Sequence, residues 1–227
     1  MKSDIGFIAI GQGGGNIGVL LAQKGYNVLC INTSTEDLNT LSGAKHIYHI
    51  KGGAGCNKDR DKAKALIAED SNSLISKITQ TIQEEFVFVI FTAGGGTGSG
   101  SSPMIIDLLI QHMNKKVGAI CVLPSLNEPL KTAINAYECF HELEAIDGLG
   151  TAFILDNKAD RFTINQNFVD MFDSLVNIPE FSNVKGNIDT AEVKELLSTR
   201  GAAIISRMSK NTSNTSRLIK ATSINPR

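Results

Sequence analysis

The run Ala93-Gly94-Gly95-Gly96-Thr97-Gly98-Ser99-Gly100 lies between the apolar stretch Phe86 to Thr92 and the segment Pro103-Met104-Ile105-Ile106. Those flanks read as a strand and a helix, so the glycines are pinned in a tight connection and do not form a free linker. Glycine lets successive backbone N–H groups turn toward one point without a Cβ in the way, and the following helix adds its partial positive end. An anion is stabilised there without a lysine. A second run, Gly11-Gln12-Gly13-Gly14-Gly15-Asn16, follows the first apolar segment of the chain. Two phosphate cradles in one chain point to a nucleotide.

The rest of the composition is that of an ordinary globular protein. The 227 residues are 42% hydrophobic and 20% charged, enough for a sizeable core in one large domain or one domain with a partial second. A formal net charge of -1 argues against a broad basic surface for nucleic acid and against general attraction to membranes. No apolar run approaches the ~20 residues of a membrane span. Cys30, Cys56, Cys121 and Cys139 lie far apart with no CxxC pair. They read as buried thiols of a reducing cytoplasm, and no metal centre built from them is expected.

Strand-like segments at Ile5–Ile10, Asn27–Ile31, Phe86–Thr92, Val117–Leu123 and Ala152–Leu155 alternate with helix-like ones. The helices are expected at Asn16–Gln23, at Lys58–Glu84 with a break near Asp70-Ser71-Asn72, at Ser102–Met113 and at Lys131–Leu143. This alternation predicts a three-layer α/β fold, a mostly parallel sheet with helices on both faces. Both glycine runs leave the carboxyl end of a strand, where open α/β sheets bind ligands. After residue 156, Phe168, Val169, Phe172, Leu175 and Val176 give a helical period that Pro179 ends. A helix at Ala191–Leu197 then leads into a further strand at Ala202-Ala203-Ile204-Ile205.

Three architectures cradle phosphates with glycine. A Walker loop needs a lysine and Ser/Thr closing the run, and Gly94 to Ser102 contains no lysine. A dinucleotide fold wants GxGxxG and an acid ending the second strand, but Asn16 stands at the third glycine and Asn32-Thr33 ends the strand. The third option accounts for both runs. Gly94 to Gly100 resembles the GGGTG(T/S)G signature of the tubulin and FtsZ superfamily, and the preceding loops fall in that family's order. Gly11 to Asn16 resembles its first loop, Asn32-Thr33-Ser34-Thr35-Glu36-Asp37-Leu38 its second and Gly53-Ala54-Gly55-Cys56-Asn57 its third.

The resemblance implies a GTP/GDP pocket. Gly94, Gly95, Gly96, Thr97 and Gly98 would offer backbone N–H groups to the diphosphate, with a hydroxyl from Thr97 or Ser99. Gly11, Gln12, Gly13, Gly14 and Asn16 would line the other side, with Asn32 in the second loop. Ala54, Gly55 and Cys56 would approach the γ-phosphate. Glu128 would meet the ribose, Asn157 and Asn165 the guanine edge, and Phe162 would stack on the purine. The resemblance also implies that hydrolysis, aided by Mg²⁺, is completed between subunits by a loop of the form NxDxx(D/E). Asn187-Ile188-Asp189-Thr190-Ala191-Glu192 fits it, giving Asn187, Asp189 and Glu192 as the catalytic set. Asp189 is equally suited to cap the following helix.

The continuation Lys58-Asp59-Arg60-Asp61-Lys62-Ala63 and Glu192 look more like the TubZ branch of plasmids and phages than like cell-division FtsZ. The branch implies a cytoplasmic, head-to-tail homopolymer that segregates DNA through a DNA-binding adaptor protein, without membrane contact. An FtsZ-like division protein and a non-polymerising GTP-binding regulator are the alternatives. The expected organisation is a GTP-binding domain over 1–160, a core helix and catalytic loop over 161–200, and over 201–227 the start of an incomplete C-terminal domain.

Overall fold

β-branched and aromatic runs form the strands, and the order in which they pair decides where a ligand can sit. The computed structural model describes residues 1–156, 161–180 and 186–206, with Arg161 and Phe162 as backbone only. Its strands are β1 (Ile5–Ile10), β2 (Asn27–Asn32), β3 (His46–His49), β4 (Phe86–Thr92), β5 (Lys116–Val122), β6 (Leu149–Leu155) and β7 (Gly201–Ala203). They form one sheet in the order β3-β2-β1-β4-β5-β6-β7, with every pairing parallel. From β1 the chain builds outward to β2 and β3, then returns to the other side of β1 to begin β4. The sheet's topological switch point is therefore between β1 and β4, and a crevice opens at their carboxyl ends.

The helices are α1 (Gly11–Gln23), α2 (Thr35–Thr40), α3 (Arg60–Glu69), α4 (Ser71–Thr81), α5 (Thr97–Gln111), α6 (Leu130–Glu144), α7 (Arg161–Val176) and α8 (Thr190–Ser198). Alternate residues of β4 show why both sheet faces are covered. Val87, Val89 and Phe91 pack in one core with Ile67 of α3, Ile78 of α4, Ile106 of α5 and Leu143 of α6. Phe86, Phe88 and Ile90 pack in the other with Ile17 of α1, Leu38 of α2, Phe172 of α7 and Leu197 of α8. The three layers expected from the alternation of segments are thus present. Phe172 meets Phe7, Phe88 and Phe153 edge-on, with ring centroids 5.7, 5.3 and 5.8 Å apart, which fixes α7 across the middle of the sheet.

α7 runs from one end of the sheet to the other. Near its far end Asp173 pairs with Lys2 at 2.7 Å and accepts a hydrogen bond from the Tyr26 hydroxyl at 3.0 Å, both beside the amino ends of β1 and β2. α8 lies at that same end: Lys194 pairs with Asp4 at 2.7 Å, and the Thr151 hydroxyl donates to the carbonyls of Leu196 and Thr199 at 2.9 Å. β7 then adds to the sheet beside β6, shorter than the expected strand.

Several boundaries differ from the sequence reading. α1 begins at Gly11 and α5 at Thr97, so glycines expected to form loops are the first turns of helices. The helical stretch expected from Lys58 to Glu84 starts at Arg60 and ends at Thr81, while its break falls where expected, at Asp70 between α3 and α4. The sequence reading has no β3 or α2. All four cysteines are free and buried, and burial pushes the thiols of Cys30 and Cys139 up to about 11 and 12. No helix among the described residues is long and apolar enough to cross a membrane.

Candidate functional site

A cavity of about 230 Å³ occupies the crevice at the switch point. Gln12, Gly13 and Asn16 of α1 form one wall, and Thr92, Gly94 and Gly95 at the end of β4 the floor. Val122, Leu123, Pro124 and Glu128 after β5, Lys58, and Asn165 of α7 complete the lining. Two helices start at this cavity without a side-chain cap: Ile10 precedes α1 and Gly96 precedes α5. α2, α3 and α8 are capped by Ser34, Asp59 and Asp189, while α4 and α6 also start without a side-chain cap. The uncapped N–H groups and the positive helix ends leave donors for an anion. Lys58 and Glu128 are the charged residues of the lining and offset one another, so backbone donors carry most of the attraction.

The glycines serve this geometry by letting backbones touch. A Cβ on Gly14 would sit 2.4 Å from the Ile90 carbonyl oxygen, so α1 rests directly on β4. A Cβ on Gly96 would lie 2.9 Å from Asp59 N and 3.0 Å from Lys58 Cα, so the third loop rests on the start of α5. Gly11, with φ +72°, makes the turn from β1 into its helix that a side chain would strain.

Seven residues expected from the sequence line the cavity: Gln12, Gly13, Asn16, Gly94, Gly95, Glu128 and Asn165. Others stand behind it. Gly11 backs onto Gly98, the Thr97 hydroxyl is 2.7 Å from that of Thr33, and Thr33 is 3.4 Å from the sulfur of Cys56. Ser99 is buried and its hydroxyl donates to Gly95 O, so it is occupied within the helix. Asn32 is buried too; its side-chain oxygen accepts from Thr33 N at 2.8 Å and its amide donates to Asp37 at 3.1 Å, which shapes the second loop. Ala54 is exposed, and the Gly55 N–H is bound to Thr33 O at 2.9 Å. Asn157 and the side chain of Phe162 lie outside the described residues.

Asn187, Asp189 and Glu192 stand at the other end of the molecule, by the start of α8 near Asp4, away from the cavity. Asp189 accepts from Glu192 N at 2.9 Å while Glu192 accepts from Asp189 N at 2.8 Å, a reciprocal capping box. The capping role is therefore real. Both residues are exposed, as is Ile188 beside them.

The sequence reading gives neither Lys58 nor Asn135 a role in the site. Asn57 and Lys58 have φ of 43° and 60°, a left-handed pair without glycine that the sequence Cys56-Asn57-Lys58 gives no means of foreseeing. Beneath the floor, the buried Arg60 guanidinium reaches Glu138 and Glu142 at 2.8 Å and Ser99 O at 3.1 Å, tying α3 to α5 and α6. Burial disfavours its charge, but the two glutamates more than compensate and raise its pKa further.

Residues 4–159 match the Tubulin/FtsZ family, GTPase domain. The chain is 36% identical over 214 residues to the tubulin-like protein TubZ of Clostridium botulinum C phage, covering 90% of this chain and 60% of the relative. It is 32% identical over 142 residues to the tubulin-like protein CetZ of Pyrococcus abyssi, covering 57% of this chain and 38% of that one. The crystal structure of Clostridium botulinum phage c-st TubZ superposes with a TM-score of 0.80 at 34% identity, over 89% of this chain and 68% of that one. A GTPγS-form protofilament of Bacillus thuringiensis serovar israelensis TubZ shares the fold, with a TM-score of 0.76 at 18% identity over 87% and 62% of the two chains.

Proposed function

Because the chain belongs to the tubulin/FtsZ family of GTPase domains, we propose that its switch-point cavity binds GTP and that hydrolysis is completed by a second copy docked head to tail. The observation that carries this reading is the separation of the two halves of the site. The uncapped helix ends and the glycine runs lie at the carboxyl ends of β1 and β4, while Asp189 and Glu192 project beside the amino ends. One copy does not bring its acids to its own cavity; a copy stacked end on end does.

In this arrangement the N-terminal turns of α1 and α5 hold the phosphates, and Lys58 adds a charge at the rim. Glu128 and Asn165 reach the nucleoside. The incoming Asp189 and Glu192 accept hydrogen bonds from a water and orient it toward the terminal phosphorus, with positioning supplying most of the acceleration. Each carboxylate keeps lone pairs beyond the one used in the capping box, so capping and water binding coexist. Mg²⁺ fits beside this pocket: the side-chain oxygen of Gln12 is buried with no donor among the described residues, as suits a water in the ion's shell. The ion would offset phosphate charge.

The similarity to a phage TubZ and the filament forms of related structures support a filament; in this reading it is cytoplasmic and moves DNA through an adaptor protein, without membrane contact. The chain spans about 60% of the length of that phage relative. The test is phosphate release from GTP as a function of protein concentration, with sedimentation on the same samples. Turnover rising more than linearly and falling on Glu192→Gln is expected; turnover linear in concentration, or unaffected by that change, refutes the reading.

A further inference from the structure

Asn135 sits on the buried face of α6, 4% exposed, with no part in the cavity lining. Its side-chain amide faces three backbone carbonyls: Lys58 O at 3.0 Å, Gly95 O at 3.0 Å and Gly94 O at 3.2 Å. Two of these belong to the glycine turn and one to the residue just after the third loop, segments nearly forty residues apart in sequence. An amide group carries two hydrogens, so the three carbonyls share them, and only a donor-rich side chain satisfies that convergence. On the opposite side Lys58 Cα is pressed against Gly96, where a Cβ would come within 3.0 Å. The backbone of Lys58 is thus held between Gly96 and Asn135 in a left-handed conformation that a lysine rarely adopts.

Strain of this kind persists where the surroundings over-determine it. The result here is to bring Lys58 into the lining of the cavity. Lys58 is half-buried and has no ion pair among the described residues, unlike Lys64, which is 2.5 Å from Glu142. Among the described residues it is also the one cation of the cavity lining.

We infer that Asn135 is a positioning residue for phosphate recognition: by holding the carbonyls of Gly94, Gly95 and Lys58 together, it keeps Lys58 directed at the terminal phosphate of a bound nucleoside triphosphate. The inference rests on the reading of the cavity as a GTP site and adds the means by which triphosphate is told from diphosphate. Lys58 supplies the charge and Asn135 acts through it.

The experiment measures GTP and GDP dissociation constants by equilibrium dialysis for the wild-type chain, Lys58→Gln, Asn135→Ala and the double variant. Loss of a charge-assisted phosphate contact should weaken GTP by roughly tenfold or more while changing GDP severalfold less. Asn135→Ala should reproduce that selective loss, and the double variant should discriminate no worse than Lys58→Gln alone, since the two act through one contact. Lys58→Arg should restore the preference. Equal weakening of GTP and GDP by Asn135→Ala, an unchanged ratio in Lys58→Gln, or multiplied losses in the double variant would overturn the proposal. Should circular dichroism show Asn135→Ala unfolded, Asn135→Ser keeps one donor at the site and is read the same way, while the Lys58→Gln ratio stands regardless. Wild-type protein that binds neither nucleotide refutes the GTP reading itself; wild-type binding with no selective loss in the variants refutes this inference alone.

Discussion

Replacing Gly13 by alanine tests whether α1 and β4 touch as closely as the cavity requires. The new Cβ would fall 2.2 Å from the Thr92 methyl, against ordinary carbon contacts of about 3.5–4.0 Å, so more than about 1 Å of overlap must be relieved. Rotation offers no easy escape, because Thr92 is β-branched and a turn about its first bond brings another substituent into the same space. Overpacking of this kind costs about 1–3 kcal/mol, of which about 0.4–1 kcal/mol is returned by the stiffer unfolded chain. A net loss of about 1–2 kcal/mol corresponds, at this chain length, to a fall in Tm of roughly 2–8 °C. Thr92→Ser deletes the clashing methyl and keeps the hydroxyl. The remaining approaches to the introduced methyl, 3.5 Å to the Cβ of residue 92 and 3.6 Å to its hydroxyl oxygen, are ordinary contacts. The double variant should therefore recover most of the loss, giving a coupling of about 1–2 kcal/mol in a double-mutant cycle followed by thermal unfolding. An unchanged Tm for Gly13→Ala, or losses that simply add in the double variant, would show that the helix does not lie this close to the strand.

Three further outcomes are expected. Asp189→Ala should lose about 1 kcal/mol in urea unfolding because the cap of α8 goes, whereas Asp189→Asn keeps a capping oxygen; phosphate release should fall about a hundredfold or more in both, separating fold from chemistry. Arg60→Ala should cost roughly 2–3 kcal/mol by the same assay, less than the ~3–5 kcal/mol of a wholly buried pair because Glu138 is half exposed. Burial opposes ionisation of Asp70, but hydrogen bonds from the Tyr48 hydroxyl and Lys51 N–H prevail and hold its carboxyl below 3.8. That stability is present above the unfolded value and lost as pH falls through the lower folded one, so Asp70→Asn should flatten the fall of the urea midpoint below about pH 4.

The elements legible in the sequence are those whose side chains face two apolar layers. Phe86 to Thr92 is buried almost throughout and reads as a strand on composition alone, as does Ile5 to Ile10. His46–His49 is an edge strand with Ile47 47% exposed, so it carries no apolar pattern, and Thr35–Thr40 is too short to show a period. The glycine runs mark the cavity because phosphate cradles need backbone donors. Their reading as loops fails because glycine's low helix propensity is outweighed by packing: Gly14 on Ile90 and Gly18 on Ala9 need a helix without side chains on that face. Lys58 and Asn135 are illegible for a different reason. A left-handed lysine and a side chain that binds three carbonyls are properties of convergence, and no local pattern announces them.

The cavity's walls also set an order of events during synthesis. Gln12 and Asn165 both line it, yet the ribosome makes them about 150 residues apart, roughly 8–30 s at ordinary elongation rates. For about the first half of that interval, until Phe86–Thr92 is made, the glycine-rich α1 has no β4 to rest on, and a helix with glycines at 11, 13, 14, 15 and 18 is a weak structure by itself. Early α1 is thus dependent on chain not yet made, and the cavity lacks its Asn165 wall until α7 has emerged. A pause placed before Arg161 would lengthen exposure of the central strand, while one placed after Val176 would give the cavity time to close around its ligand.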